Sequence, residues 1–240
     1  MKKFALLSPE FDAKFVTVAD YARDPYNYEF DNFFHPLTLA PLRPKFASWY
    51  VDSIEGFVLK RGYGQHNAGW SDDLVHEMTR MVILATKEMK IFLPNRGMQI
   101  LRFENVTAEQ RLKAGTTQSY GLDIFCNLSP ESDLYSEMHG TMAIEISTHD
   151  TIGAVKLREI IKHNLAVIEY KASRALLDKY SDEYLSGEKL HCLRADLKEL
   201  VSGVLDVSVW NLPESIPDQP TATVQQVRRS PPDELPSASL

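Results

Sequence analysis

The alternation of apolar and polar positions is clearest between residues 71 and 211. After Trp70, the residues Leu74, Met78, Met81, Val82, Ala85 and Met89 follow at steps of four, three, one, three and four, which lays one stripe along one side of a helix. Ser71 stands where it can cap that helix, and Asp72 and Asp73 suit the positive end of its dipole. Ile91, Phe92 and Leu93 form a short apolar segment stopped by Pro94 and Gly97. Residues 98–104 and 121–128 read as strands, with 107–117 a polar connection or a further strand. Residues 141–148 predict another strand, in which Ala143, Glu145 and Ser147 alternate with Ile144 and Ile146.

Residues 152–163 predict a helix that stops at Asn164, a residue that tolerates the left-handed conformation, and 165–170 predict a buried strand. Strand, short helix and strand in close succession imply a right-handed crossover between parallel strands. One more helix is expected over 190–201. The order helix, three strands, helix, strand describes an α/β core over residues 70–213.

The flanks read differently. Residues 1–69 are rich in aromatics and prolines and hold short alternating stretches at 15–18, 47–51 and 56–59, which predicts a small β-rich N-terminal module. From 214 to 240 the chain is rich in Pro, Ser and Gln without periodicity and predicts a disordered C-terminal tail.

Composition narrows the chemistry. Lys plus Arg number 26 against 33 Asp plus Glu, a formal charge of −7, so the surface is no uniformly basic glove and any contact with nucleic acid must be local or metal-mediated. Two cysteines, Cys126 and Cys192, exclude a disulfide framework and a zinc ribbon and suggest a reducing compartment. The first residues hold too short an apolar run for a signal peptide, and no stretch approaches 18 apolar residues, so a soluble cytoplasmic protein is expected.

The acidic pair to weigh is Asp123 on one predicted strand and Glu145 on the next. Should those strands be neighbours, both carboxylates meet at one edge of the sheet, and two hard oxygen ligands favour magnesium or manganese. Such an ion activates water and stabilises charge on a phosphate. The competing reading makes Asp123 a strand terminator and Glu145 an exposed strand residue. Against it stands the position of Glu145 between two isoleucines, where burial of a charge is costly without a cation. Asp150 is the expected cap of the following helix, and His149 a surface or capping group.

The segments SDDLVHEMTRMVILATKEM, IFLP, VTAEQRLKAGTTQSYGLDIFCNL, TMAIEISTHDTIGAVKLREIIKHNLAVIEY and VLDVSVWNLPE together resemble the competence-protein CoiA-like branch of the PD-(D/E)xK, restriction-endonuclease-like superfamily. The resemblance implies a restriction-endonuclease-like core and a metal-dependent DNA nuclease acting on incoming or foreign DNA in uptake, recombination or defence. It makes Asp123 the motif aspartate, with Leu122 in place of the usual proline, and Glu145 the metal-binding acid of E-x-K. Glu109, and His76 or Glu77, would be accessory or positioning groups.

The departure is Ser147, which stands where that motif has lysine; a hydroxyl brings no positive charge. Three explanations compete: Lys156 on the next helix supplies the charge, Glu169 and Lys171 form the true E-x-K, or the site is inactive and the fold serves to bind nucleic acid or a protein. The first is preferred, because the second pairs Asp123 with a strand beyond the crossover. The cysteine-rich zinc element common at the N-terminus of such proteins is missing, and His35 and His66 do not replace it. Arg111 and Lys113 before the aspartate strand and Arg158 beside Lys156 and Lys162 are candidate contacts to a DNA backbone. Further basic residues, Arg43, Lys45, Lys60 and Arg61, and the aromatics Trp49, Tyr50, Tyr63 and Trp70, punctuate the N-terminal module. Solvated helix faces and an aromatic core are the plainer alternatives for both sets. The tail offers a route to a protein partner, and nothing in the sequence excludes a homo-oligomer.

Overall fold

Helix α2 (Leu74–Leu84) forms where the apolar stripe was expected but stops short of Met89. The chain instead turns at Ala85–Thr86, where the Thr86 hydroxyl donates to the Val82 carbonyl at 2.9 Å, and enters strand β6 (Glu88–Leu93). Met89, Ile91 and Leu93 of β6 are buried in a period of two. Met89 satisfies the helical and the strand period alike, which is why the stripe overran. Ser71, Asp72 and Asp73 lie outside the described residues. A computed structural model of the chain describes residues 2–28, 32–47, 54–60, 74–94, 96–108, 110–114, 118–148, 152–180 and 186–211.

Gly97, at φ +71, turns β6 into the long strand β7 (Gly97–Ala108). The first half of β7 pairs with β6 and the second half with β10 (Ile124–Leu128). Between them in sequence lies the hairpin β8 (Arg111–Ala114) and β9 (Gln118–Gly121), so of the two alternatives for 107–117 the strand is the one observed, in a two-stranded sheet of its own. Strand β11 (Thr141–Ser147) runs antiparallel to β10. Helix α3 (Ala154–Lys162) then leads to β12 (Ala166–Lys171), which pairs parallel with β11 as the crossover required. Asn164 adopts φ +51, the left-handed stop expected of it. Asp150 and His149 lie outside the described residues; the residue that opens α3 is Gly153, with no side-chain cap.

Helices α4 (Arg174–Tyr180) and α5 (Gly187–Ser202) follow, and the chain returns through β13 (Val204–Asn211). β13 pairs antiparallel with β12 and parallel with β6. The sheet thus closes into a ring, β10-β11-β12-β13-β6-β7, rather than ending at the strands the sequence order anticipated. The architecture is mixed α/β. One face of the ring, with Ile124, Ile144, Ile146 and Ile168, shares a core with Met78, Met81 and Val82 of α2 and Leu190, Leu193 and Leu197 of α5. On the other, Ala143, Phe125 and Val167 pack with Leu112 of β8 and Ile160 of α3. Among the described residues no helix is long and apolar enough to cross a membrane.

The N-terminal residues are β-rich, as predicted. β1 (Phe4–Leu6), β2 (Phe15–Thr17), β3 (Phe33–Phe34), β4 (Pro41–Phe46) and β5 (Ile54–Leu59) form one sheet in the order β2-β1-β3-β4-β5. Helix α1 (Val18–Arg23) is capped by Thr17, whose side chain and that of Asp20 exchange bonds with each other's backbone amides. Tyr21, Phe33 and Phe57 make an aromatic core, with Phe33 and Phe57 rings 5.0 Å apart. His35 is buried, and its Nδ1 accepts from the Leu37 amide at 3.1 Å, a turn-holding role. Trp49, Tyr50, Tyr63, His66, Trp70, Arg61 and the tail from 214 lie outside the described residues.

This sheet is joined to the rest by α5. Phe4 and Leu6 enter the main core while Ala5 faces the aromatic one. Arg194 donates to the Phe11 and Ala13 carbonyls at 3.0 and 2.8 Å and stacks on Phe15, 4.7 Å from its ring centre. Arg194→Ala leaves two carbonyls unsatisfied and is expected to cost roughly 2–3 kcal/mol in chemical denaturation; an unchanged midpoint would show the junction to be dispensable.

Candidate active site

Strand pairing brings the two acids together. Ile124 stands opposite Ile144, so Asp123, one residue before β10, falls beside Glu145 on β11. The Ile146 amide donates to Asp123 Oδ2 at 3.0 Å, and the Asp123 amide reaches Glu145 Oε1 at 3.4 Å. Both carboxylates lie on the rim of the ring, where β10 begins and β11 ends, and Glu145, 4% exposed, is no surface residue. The alternation that sends Ile144 and Ile146 into the main core turns Glu145 to the side of α3.

Lys156, in the first turn of α3, places its Nζ on Glu145 Oε2. Its side chain is about a quarter exposed, the stem lying along the protein and the head reaching the strand. From the other side His76, in the first turn of α2, bonds Asp123 Oδ2 through Nε2 at 3.2 Å. Its Nδ1 lies 3.7 Å from Glu77 Oε1, and Arg80 donates to that same oxygen at 3.1 Å. Glu77 and Arg80 are both buried. A row of alternating charge, Arg80, Glu77, His76, Asp123, therefore runs from α2 to the sheet edge and ends on Glu145 and Lys156.

The surroundings tune these groups in opposite directions. Burial disfavours the His76 imidazolium, but the hydrogen bonds and charges of Asp123 and Glu77 outweigh it and hold His76 up to about 9. Burial also penalises the Asp123 charge, yet the His76 bond and charge, Lys156 and the Ile146 amide bring Asp123 down to about 2. Glu145 is raised, first by burial and then by the neighbouring Asp123 charge, with only partial relief from Lys156.

A pH signature follows from His76. Its protonated form is favoured in the folded chain, so its stabilisation is complete below the ordinary value of 6.5 and lost as pH rises through about 9. In chelator-treated protein, denaturant unfolding across that window should show a decline on the order of 1–3 kcal/mol that His76→Gln does not share. Identical slopes for the two proteins would remove the His76–Asp123 bond from the account.

The donor set fits a hard divalent cation. Asp123 Oδ2 is engaged by His76 and the Ile146 amide, and the two Glu145 oxygens by the Asp123 amide and Lys156, so a cation would draw on Asp123 Oδ1 and on a Glu145 carboxylate shared with Lys156. Magnesium is commonly held by one or two carboxylates, with substrate phosphate and water completing the shell. No cluster of three or more His, Cys, Asp or Glu side chains suited to a metal occurs among the described residues.

Ser147 does not stand in for a lysine. Its hydroxyl donates to Glu169 Oε1, and the Ile152 amide donates to the same oxygen at 2.9 Å. Glu169 and Lys171 lie on β12 in register with Glu145 and Ser147. Asp123 is bonded to His76, to the Ile146 amide and to Glu145, none of them on β12. Arg111 is exposed on β8, and Arg158 is exposed on α3, which packs against that hairpin through Ile160 and Leu112. Lys113 lies on β8 with its side chain outside the described ones, and Glu109 lies outside the described residues altogether. Glu77 is among the sequence candidates, but its buried partner Arg80 is not: opposite charges three apart on a helix ordinarily mark its solvated face. Comparison with protein-family models, with curated proteins and with solved structures finds no match to this chain.

Proposed function

We propose that residues 70–213 form a restriction-endonuclease-like domain and that the chain is a metal-dependent DNA nuclease, a phosphodiester hydrolase acting on incoming or foreign DNA. The observation that carries the reading is Lys156 seated on Glu145 while Asp123 hydrogen-bonds the neighbouring backbone. The positive charge missing at Ser147 is then supplied from α3. On this reading β6 and β13 are additions to the helix, three strands, helix, strand core.

Asp123 and Glu145 would hold magnesium or manganese, which when bound lowers the pKa of a water and neutralises charge on the phosphate. Lys156 donates to a non-bridging phosphate oxygen as negative charge builds there. His76 fixes the Asp123 carboxylate through Oδ2, and Oδ1 would be the oxygen that takes the metal. Arg111, Lys113 and Arg158 would meet the DNA backbone from β8 and α3, a local basic patch on an acidic chain. The test is an assay on linear, circular, single- and double-stranded DNA with and without magnesium. Cleavage that a chelator abolishes supports the reading; no cleavage of any substrate overturns it.

One rival draws on Ser147: a protein of the same fold that binds nucleic acid or a protein partner without cleaving. It predicts salt-sensitive DNA retention, or capture of a partner, together with no heat on magnesium or manganese titration.

A further inference from the structure

We propose that Glu169 is a positioning residue: by holding the segment that opens α3 it sets the amine of Lys156 on Glu145. For its catalytic consequence alone this rests on the nuclease reading. Glu169 is 4% exposed on β12, where an unbonded carboxylate is costly. It accepts from the Ile152 amide at 2.9 Å and from the Ser147 hydroxyl, both on Oε1. Ile152 lies two residues before α3, and the residue that opens that helix, Gly153, has no side-chain cap. The bond from the Ile152 amide therefore ties the start of α3 to the sheet at a point where the helix supplies no capping side chain of its own.

Lys156 is four residues beyond Ile152, so the height of its Cα over the sheet follows from where that amide is pinned. A lysine stem has many rotamers, and an unpinned helix start would let the amine sample positions away from Glu145. Ser147 acquires a role in the same arrangement. It stands at the place expected of a lysine, and its hydroxyl fixes the acid that holds the helix that delivers one. The Ala172 amide, donating to the Ser147 carbonyl at 2.9 Å, fastens this strand position to β12 from the other side.

The experiment uses the full chain and a Glu169→Met variant, which keeps the length of the side chain but accepts no hydrogen bond. Amine acylation read by mass spectrometry compares Lys156 with Lys162, an exposed lysine of the same helix. Glu169→Met should raise Lys156 labelling about tenfold relative to Lys162, while Glu169→Gln, whose carbonyl still accepts both bonds, stays within about twofold of native. In cleavage assays Glu169→Met should lower kcat about 10- to 100-fold with KM little moved. Adding it to Lys156→Ala should slow that variant no further, as expected of residues acting as one unit. Unchanged Lys156 labelling in folded Glu169→Met overturns the proposal. So does rapid hydrogen exchange of the Ile152 amide in the native chain, a measurement that needs no variant to fold. Labelling and exchange are independent of catalysis, so a native chain that cleaves nothing while showing both effects refutes the nuclease reading and leaves the brace standing.

Discussion

Glu145→Gln and Asp123→Asn are each expected to lower magnesium-dependent DNA cleavage about a thousandfold, the loss of about 4 kcal/mol of transition-state stabilisation. Their effects on stability should diverge. Glu145 is raised by burial and by the Asp123 charge, so its ionisation works against folding as pH climbs past the ordinary value of 4.5. A neutral glutamine abolishes that penalty, and the variant should be at least as stable as the native chain at pH 8. Asp123 is held down to about 2 by His76, Lys156 and the Ile146 amide despite burial, so its charge stabilises the fold above its ordinary value of 3.8. Asp123→Asn should therefore cost on the order of 1–3 kcal/mol at the same pH. Denaturant midpoints and initial cleavage rates on one preparation separate the two effects. Cleavage within about tenfold of native in either variant would take that acid out of the chemistry.

The second large effect belongs to Lys156. Lys156→Met preserves the stem and deletes the charge, and should lower kcat by about a hundred- to a thousandfold with KM little changed, because the amine acts on charge that develops in the transition state. Lys156→Arg retains the charge but not the compact head and should recover only part of the rate. Lys156→Met also leaves Glu145 without its cation, which favours the protonated acid, so residual activity should rise with added metal more steeply than in the native chain. A lysine that merely covers an acid would, on removal, shift KM or stability and leave kcat in place.

Much of the core was legible because period and burial speak together. Ile144 and Ile146 face the main core, which turns Glu145 to the other side, and a charge in that setting asks for a partner. Asn164 and the parallel pairing of β11 with β12 follow from local rules of chain reversal and crossover. Met89 misled because one residue satisfied two periods. The closing pairs of β13 with β6 and β12 were not legible, since they join segments far apart in sequence and leave no local signature. The same holds for the partners of the site: His76 on Asp123 and Ser147 on Glu169 are tertiary contacts between elements whose existence, but not juxtaposition, the pattern predicts. β4 is not among the predicted stretches, and its two prolines, Pro41 and Pro44, are residues that ordinarily count against a strand.

Convergence of Asp123 and Glu145 on one divalent ion is tested most directly by calorimetric titration of manganese into the metal-free chain. A single binding event per chain is expected, lost in both Asp123→Asn and Glu145→Gln. Absence of any heat in the native chain, or equal heat in all three proteins, would contradict it.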